Sequence, residues 1–204
     1  ELLKKLGWRY KNMDMPDSAI SVLSHALELA AVNDQKYMMA VISLNLGIVY
    51  KDISYYQTAL YQLDLGLEYY EASGDVEDRD KYLCRVYNTM GNCNIELYAY
   101  ERADECFEKA EKHAIAINDR SVLGQIYNNW GSLLNDIQQP LEAIELLQKS
   151  LAIKSELKAS KGYYTTLFNI GNTYFDMGRL DSAKWYLTTC LEGRRVFDKP
   201  NKQM

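Results

Sequence analysis

Proline is scarce in this chain, with 3 in 204 residues. A proline beyond the first turn breaks a helix, so its scarcity leaves room for long ones. A surplus of positive charge is also missing. The 23 Lys and Arg are outnumbered by 28 Asp and Glu, interleaved along the chain, for a net charge of -5. A partner with a phosphate backbone calls for a basic face, so direct nucleic-acid binding is not expected. No apolar run reaches the roughly 18 residues a membrane span needs, so no membrane insertion of this segment is expected. Histidine is limited to His25 and His113, placed in separate helical segments without a carboxylate or cysteine at ligand spacing. No phosphate loop, nucleophile elbow or HExxH occurs, and paired acids such as Glu142 and Glu145 read as a solvated helix face. These absences predict no enzyme, no metal and no cofactor. The cysteines are Cys84, Cys93, Cys106 and Cys190. On one helix Cys84 and Cys93 point about 180° apart, so they share neither a disulfide nor a metal. Small buried thiols in a reducing compartment follow, which favours the cytoplasm while leaving a reduced periplasmic protein open.

What the chain does have is repetition. Hydrophobic residues make up 48%, a globular proportion, and there are 17 tyrosines. Alignment on glycine collects LGWRY at Gly7, LGIVY at Gly47, MGNCN at Gly91, WGSLL at Gly131 and IGNTY at Gly171, in steps of 40, 44, 40 and 40. With glycine at about 7% of residues, three steps of 40 all landing on glycine arise by chance about once in three thousand trials. Twelve residues after each glycine stands an alanine: Ala19, Ala59, Ala103, Ala143 and Ala183. Sixteen after it come Leu23, Leu63, Phe107, Leu147 and Leu187, and nineteen after it the small Ala26, Gly66, Ala110, Ser150 and Cys190.

Each unit shows two blocks of helical periodicity split by a turn such as MDMPDS, DISYYQ, DIQQPLE or DMGRLDS. Pro140 suits the first turn of a helix, where its missing N–H costs nothing, and Gly178 suits a left-handed helix end. Small residues belong where helix backbones approach closely, with large ones filling the space beside them. Enlarging Gly131 or Ala143 is expected to overpack that contact by about 1–3 kcal/mol.

A bulky residue, then glycine, often tyrosine three later and alanine twelve later resembles the tetratricopeptide repeat, over essentially the whole chain. Asn94 and Leu134 replace the tyrosine in two units, the closing proline is absent, and the period is 40 where the family's is about 34. Long units of this kind resemble those of kinesin light chains, of polarity adaptors that bind heterotrimeric G proteins, and of bacterial receptors for signalling peptides. The resemblance implies an all-α, right-handed superhelical solenoid of five helix-turn-helix units, near residues 1–33, 34–74, 75–118, 119–158 and 159–198. The extra residues before Gly91 fall near GDVEDRD and read as a lengthened helix start or loop. The first helix before Gly7 looks cut short, and the last helix runs to about Phe197 before DKPNKQM with no polar cap. Since arrays are normally capped, a segment of a longer protein is expected, with an apolar edge on the last unit able to self-associate.

In the resembled family the first helix of each unit lines a concave wall. Around the aligned glycines those helices carry Asn45, Asn88, Asn92, Asn128, Asn129, Asn169 and Asn172, with Ser132 beside Asn128. A side-chain amide both donates and accepts, so a row of them matches the main chain of an extended peptide. Long-unit relatives hold ligands this way, which makes a peptide or protein the expected partner and an adaptor or sensor module the expected role. Arg85 and Lys51 would select acids, and Phe168, Phe175 and Trp130 apolar groups, although Trp130 also reads as core. The competing reading is that the asparagines brace the stacking of adjacent units, in a structural array that spaces or oligomerises neighbouring domains. Lys4, Asn45 and Arg85 loosely match the family's clamp for a C-terminal carboxylate, but Trp8 and Thr89 stand where that clamp requires Asn and Arg.

Overall fold

Seven residues after each aligned glycine the backbone turns left-handed. Asp14, Ser54, Tyr98, Gln138 and Gly178 have φ of 57°, 65°, 57°, 62° and 71°. The same two hydrogen bonds surround each of them. In the first turn Met15 N donates to Tyr10 O at 3.0 Å and Asp14 N to Lys11 O at 3.2 Å; in the last, Arg179 N donates to Tyr174 O and Gly178 N to Phe175 O, both at 2.9 Å. This pairing consumes carbonyls that a helix end would leave open, and it reverses the chain without a long loop. Glycine meets the turn's steric demand in one of the five, Gly178; elsewhere side chains accept a left-handed backbone. Tyr98 does so while 79% exposed. Tyr98→Gly is therefore expected to stabilise the fold by about 1 kcal/mol in urea denaturation. An unchanged or lower stability would mean that the edge contact between the Tyr98 and Tyr100 rings, with centroids 6.1 Å apart, outweighs the backbone cost.

A computed structural model describes residues 1–74, 78–156 and 161–197. Within them lie α1 (Leu2–Asn12), α2 (Pro16–Val32), α3 (Lys36–Asp52), α4 (Tyr56–Glu71), α5 (Arg79–Glu96), α6 (Tyr100–Ala116), α7 (Arg120–Asp136), α8 (Pro140–Glu156), α9 (Lys161–Asp176) and α10 (Leu180–Phe197). Pro16 and Pro140 each open a helix, where proline is tolerated. The architecture is an all-α helical repeat. The lengthened segment GDVEDRD includes residues 75–77, which lie outside the described residues, as does the tail 198–204; α5 begins after the former.

The glycines sit where the second helix of a hairpin presses on the first. A Cβ on Gly47 would lie 2.8 Å from Leu63 Cγ, on Gly91 2.7 Å from Phe107 Cε1, and on Gly131 2.7 Å from Leu147 Cγ and 3.1 Å from the Ala143 carbonyl oxygen. Each such distance is inside van der Waals contact, so glycine is required by the partner sixteen residues on. Leu23, Leu63, Phe107 and Leu147 are all 0% exposed. Gly171 presses on Leu187 in the same manner, and this accounts for a helix that carries glycine between Asn169 and Asn172.

The fold comprises two compact parts, Glu1–Ala116 and Ile117–Met204. In the first, α1–α2, α3–α4 and α5–α6 are hairpins; in the second, α7–α8 and α9–α10. Among the described residues, successive first helices touch within each part, α1 with α3, α3 with α5 and α7 with α9, whereas α2 does not touch α4, nor α4 α6, nor α8 α10. First helices converge and second helices splay, which puts the first helices on the tighter side of each part. Their side chains are the ones gathered closely enough to form a site.

Candidate functional site

In the first part, a cavity of about 660 Å³ opens between α1, α3 and α5. Lys4, Lys5 and Arg9 reach it from α1, Asn45 from α3 and Arg85 from α5, around the Trp8 ring. Arg85 Cζ stands 6.0 Å from the centroid of that ring, and Lys11 Nζ 5.1 Å from it on the neighbouring turn. Glu1 offers one carboxylate, paired with Lys4 at 2.9 Å. Four cations against one acid make the cavity an acceptor of negative charge. Burial pulls the Arg85 guanidinium below its usual value, yet a guanidinium remains charged under any physiological condition. The loosely matched trio Lys4, Asn45 and Arg85 is thus brought to one cavity, with Trp8 among them. Asn45 is buried, at 6% exposure. Asn88 and Asn92, one turn apart on α5, are half-buried, and the Asn88 Oδ1 is enclosed without a hydrogen-bond partner.

The second part uses its asparagines differently. Asn128 is 7% exposed. Its Oδ1 accepts from Thr166 Oγ1 at 2.8 Å and from Asn169 Nδ2 at 3.3 Å, while its Nδ2 donates to Asn129 Oδ1 at 3.3 Å. Asn128 is therefore a brace between α7 and α9. Asn129 and Asn169 each have a long bond to it and remain half-buried, with hydrogen-bonding capacity left over. Asn169 and Asn172 also line a second cavity of about 250 Å³, shared with Ser132, Asn135, Asp136, Thr173, Phe175 and Asp176. Trp130 is half-buried, and Phe168 and Phe175 are exposed at 49% and 60%.

A family model for the tetratricopeptide repeat matches residues 122–195. Residues 122–195 belong to the tetratricopeptide repeat family. A curated relative, the transcriptional activator NprA of Geobacillus stearothermophilus, is 30% identical over 144 residues, which is 70% of this chain and 32% of that protein. The chain thus spans about a third of the length of the relative it matches. Among solved structures, the apo form of RapI superposes with a TM-score of 0.85 at 17% identity, over 97% of this chain and 70% of that one. Nearly identical TPR-like repeats of the kinesin light chain type from Podosopora anserina give 0.73 at 15% identity, over 97% and 96%. These likenesses establish the fold.

The tetratricopeptide frame also exposes residues that sequence reasoning missed. His113 on α6 meets Asp80 on α5 at 2.7 Å, with its ring stacked on Tyr87 at 5.9 Å. Asp80 lies 33 residues away, so no local spacing signals the pair, and no local carboxylate was expected for this histidine. Among the described residues no group of three His, Cys, Asp or Glu side chains is placed to hold a metal ion. All four cysteines are buried as free thiols, and burial pushes the Cys93 thiol up to about 12, far from a reactive thiolate. Lys154 was missed as well. It is a buried lysine whose Nζ donates to Thr166 Oγ1 at 2.9 Å, which joins α8 to the Asn128 brace. Among the described residues no helix is long and apolar enough to cross a membrane.

Proposed function

We propose that this chain is the peptide- or protein-binding module of a regulatory protein, holding an extended segment against the first-helix faces. The observation that carries this reading is the set of half-buried amides Asn129, Asn169 and Asn172 on α7 and α9, the latter two lining a polar cavity on the converging side. Half-buried amides with unfilled hydrogen-bonding capacity suit a main chain, which presents one donor and one acceptor per residue. In the first part Asn45, Asn88, Asn92 and Arg85 belong to the same reading, and the cationic cavity around Trp8 suits an acidic side chain or a terminal carboxylate. The 30% identity to a transcriptional activator supports a regulatory setting. The net charge of -5 argues that this segment itself does not hold nucleic acid. The buried free thiols fit a reducing compartment, the cytoplasm in this reading.

The test is selection of peptides from a displayed random library on the intact chain, followed by titration of the selected peptides into Asn129→Ala and Asn169→Ala. Each variant loses a hydrogen bond of 3.3 Å to Asn128. The stability cost is therefore about 0.5–1.5 kcal/mol, a shift of a few degrees in Tm. Affinity is expected to fall by about tenfold or more in each, because one to two hydrogen bonds to the peptide are lost. Failure to select any peptide, or loss of affinity only in step with loss of folding, overturns the reading.

A second reading, association through the last hairpin, is favoured by α10, where Leu180, Trp185 and Leu191 are exposed at 62%, 60% and 53%. Leu187 is half-buried where its four counterparts are fully enclosed. Under this reading Trp185→Ser lowers the mass seen by light scattering, and under the first it does not.

A further inference from the structure

Two equivalent helix junctions solve the same electrostatic problem in different ways. The fifth residue after the aligned glycine is Asp52 on α3 and Asp176 on α9. At the α1–α3 junction, Asp52 receives Lys11 of α1 at 3.1 Å and Lys51 of its own helix at 2.6 Å. Burial alone would push the Asp52 carboxyl up, but the two lysines outweigh it and hold it below its usual value. The protein supplies the cation itself.

At the α7–α9 junction, Lys11's place is taken by Asn135 and Lys51's by Phe175. Asn135 Nδ2 donates to Asp176 Oδ2 at 2.7 Å, a neutral hydrogen bond that leaves the negative charge standing. No ion pair to Asp176 occurs among the described residues. Asp136 lines the same cavity from the end of α7, so two carboxylates face one polar space of about 250 Å³. Asn135 Oδ1 is enclosed without a partner, which leaves an acceptor unsatisfied at the site. The Phe175 ring, 60% exposed, forms part of the wall, and an aromatic face attracts a cation within about 6 Å of its centroid.

We infer that the cavity between the C-terminal halves of α7 and α9 is a subsite for an organic cation, the guanidinium or ammonium of a basic residue in the bound peptide, supplying the counter-charge that Lys11 and Lys51 supply at the α1–α3 junction. The inference deepens the binding reading above and rests on it for the identity of the ligand. Its chemistry stands by itself: Asp176 supplies the charge, Asn172 supplies an acceptor oxygen, and Phe175 covers the flat face of a guanidinium. A planar, five-donor guanidinium fits this set better than a compact ammonium.

The experiment uses two small probes that differ only in charge, N-acetyl-argininamide and N-acetyl-citrullinamide, titrated into the intact 15N-labelled chain while the side-chain amide resonances of Asn135, Asn169 and Asn172 are followed. The arginine probe is expected to shift these resonances saturably and the citrulline probe to leave them in place. Asp176→Asn is expected to weaken the arginine probe by about tenfold, the usual worth of one charged hydrogen bond. Asn135→Lys installs the internal cation found at the other junction and is expected to abolish binding. If arginine and citrulline act alike, if neither acts, or if Asn135→Lys binds as well as the unmodified chain, the inference is overturned. A chain that selects peptides but ignores the arginine probe refutes this subsite alone. A chain that binds the probe but selects no peptide refutes the broader reading and leaves the cation site in place.

Discussion

Gly91→Ala is expected to destabilise the first part of the molecule by about 1–3 kcal/mol, although alanine is the better helix former by about 1 kcal/mol. The sign is decided by Phe107. A Cβ on Gly91 would stand 2.7, 2.8 and 3.0 Å from Cε1, Cζ and Cδ1 of that ring. A phenyl ring that is 0% exposed has no room to tilt away. The other glycines of the column press on leucines, whose branched ends yield more readily. Phe107→Ala alone is expected to cost about 3–5 kcal/mol, as for other buried aromatic truncations. The decisive measurement is the double mutant. With the ring gone the new methyl has space, so Gly91→Ala on the Phe107→Ala background becomes neutral or stabilising. The urea-denaturation cycle should then show a coupling of about 1–3 kcal/mol. An additive cycle would mean that glycine recurs there for some reason other than the residue sixteen positions later.

That contact shows why the fold was legible in the sequence. Gly91 and Phe107, Gly131 and Leu147, and Gly47 and Leu63 are steric couples within one hairpin, so each leaves a trace at fixed spacing. The turn between helices was legible in its position but not in its left-handed backbone. Asp14, Ser54, Tyr98 and Gln138 share the left-handed backbone that only Gly178 announces, because main-chain hydrogen bonds hold it and almost any side chain can tolerate its cost. The candidate site was legible to the level of the helix face. The asparagines do lie on the converging first helices, but which of them brace and which face a cavity depends on residues from another repeat. Thr166, which helps turn Asn128 into a brace, is 38 residues away. Asp176, which captures Asn135, is 41 residues away. No periodicity within one helix encodes such pairs, whereas comparison of equivalent positions between repeats does.

The same comparison singles out Lys154 and supplies the second large prediction. Twenty-three residues after the first four aligned glycines stand Ala30, Tyr70, Ala114 and Lys154, all buried, at 3%, 5%, 0% and 7% exposure, whereas the fifth member, Arg194, is exposed. Of the buried four, three are uncharged and one is an amine. Its Nζ has Thr166 Oγ1 at 2.9 Å as a neutral acceptor, and burial drags the amine from its ordinary 10.5 down to about 8. A base with a lowered folded value holds its proton less well folded than unfolded. Between about pH 8 and pH 10.5 the unfolded chain therefore binds more protons, and stability rises with pH across that window. Below about pH 8 both states are charged and the full burial penalty stands. A depression of this size corresponds to about 3 kcal/mol at neutral pH, and the lost hydrogen bond to Thr166 returns about 1 kcal/mol of that in any apolar replacement. Lys154→Met keeps the length and apolar stem of the side chain without its charge, so it is expected to stabilise the second part by about 2 kcal/mol at pH 7. The gain should shrink steadily as pH approaches 10, while tyrosine and cysteine titrations, common to both proteins, cancel in the difference. A Lys154→Met protein less stable than its parent at pH 7, or a difference that stays level with pH, would show that the amine is compensated inside the fold and that this column tolerates charge as readily as alanine.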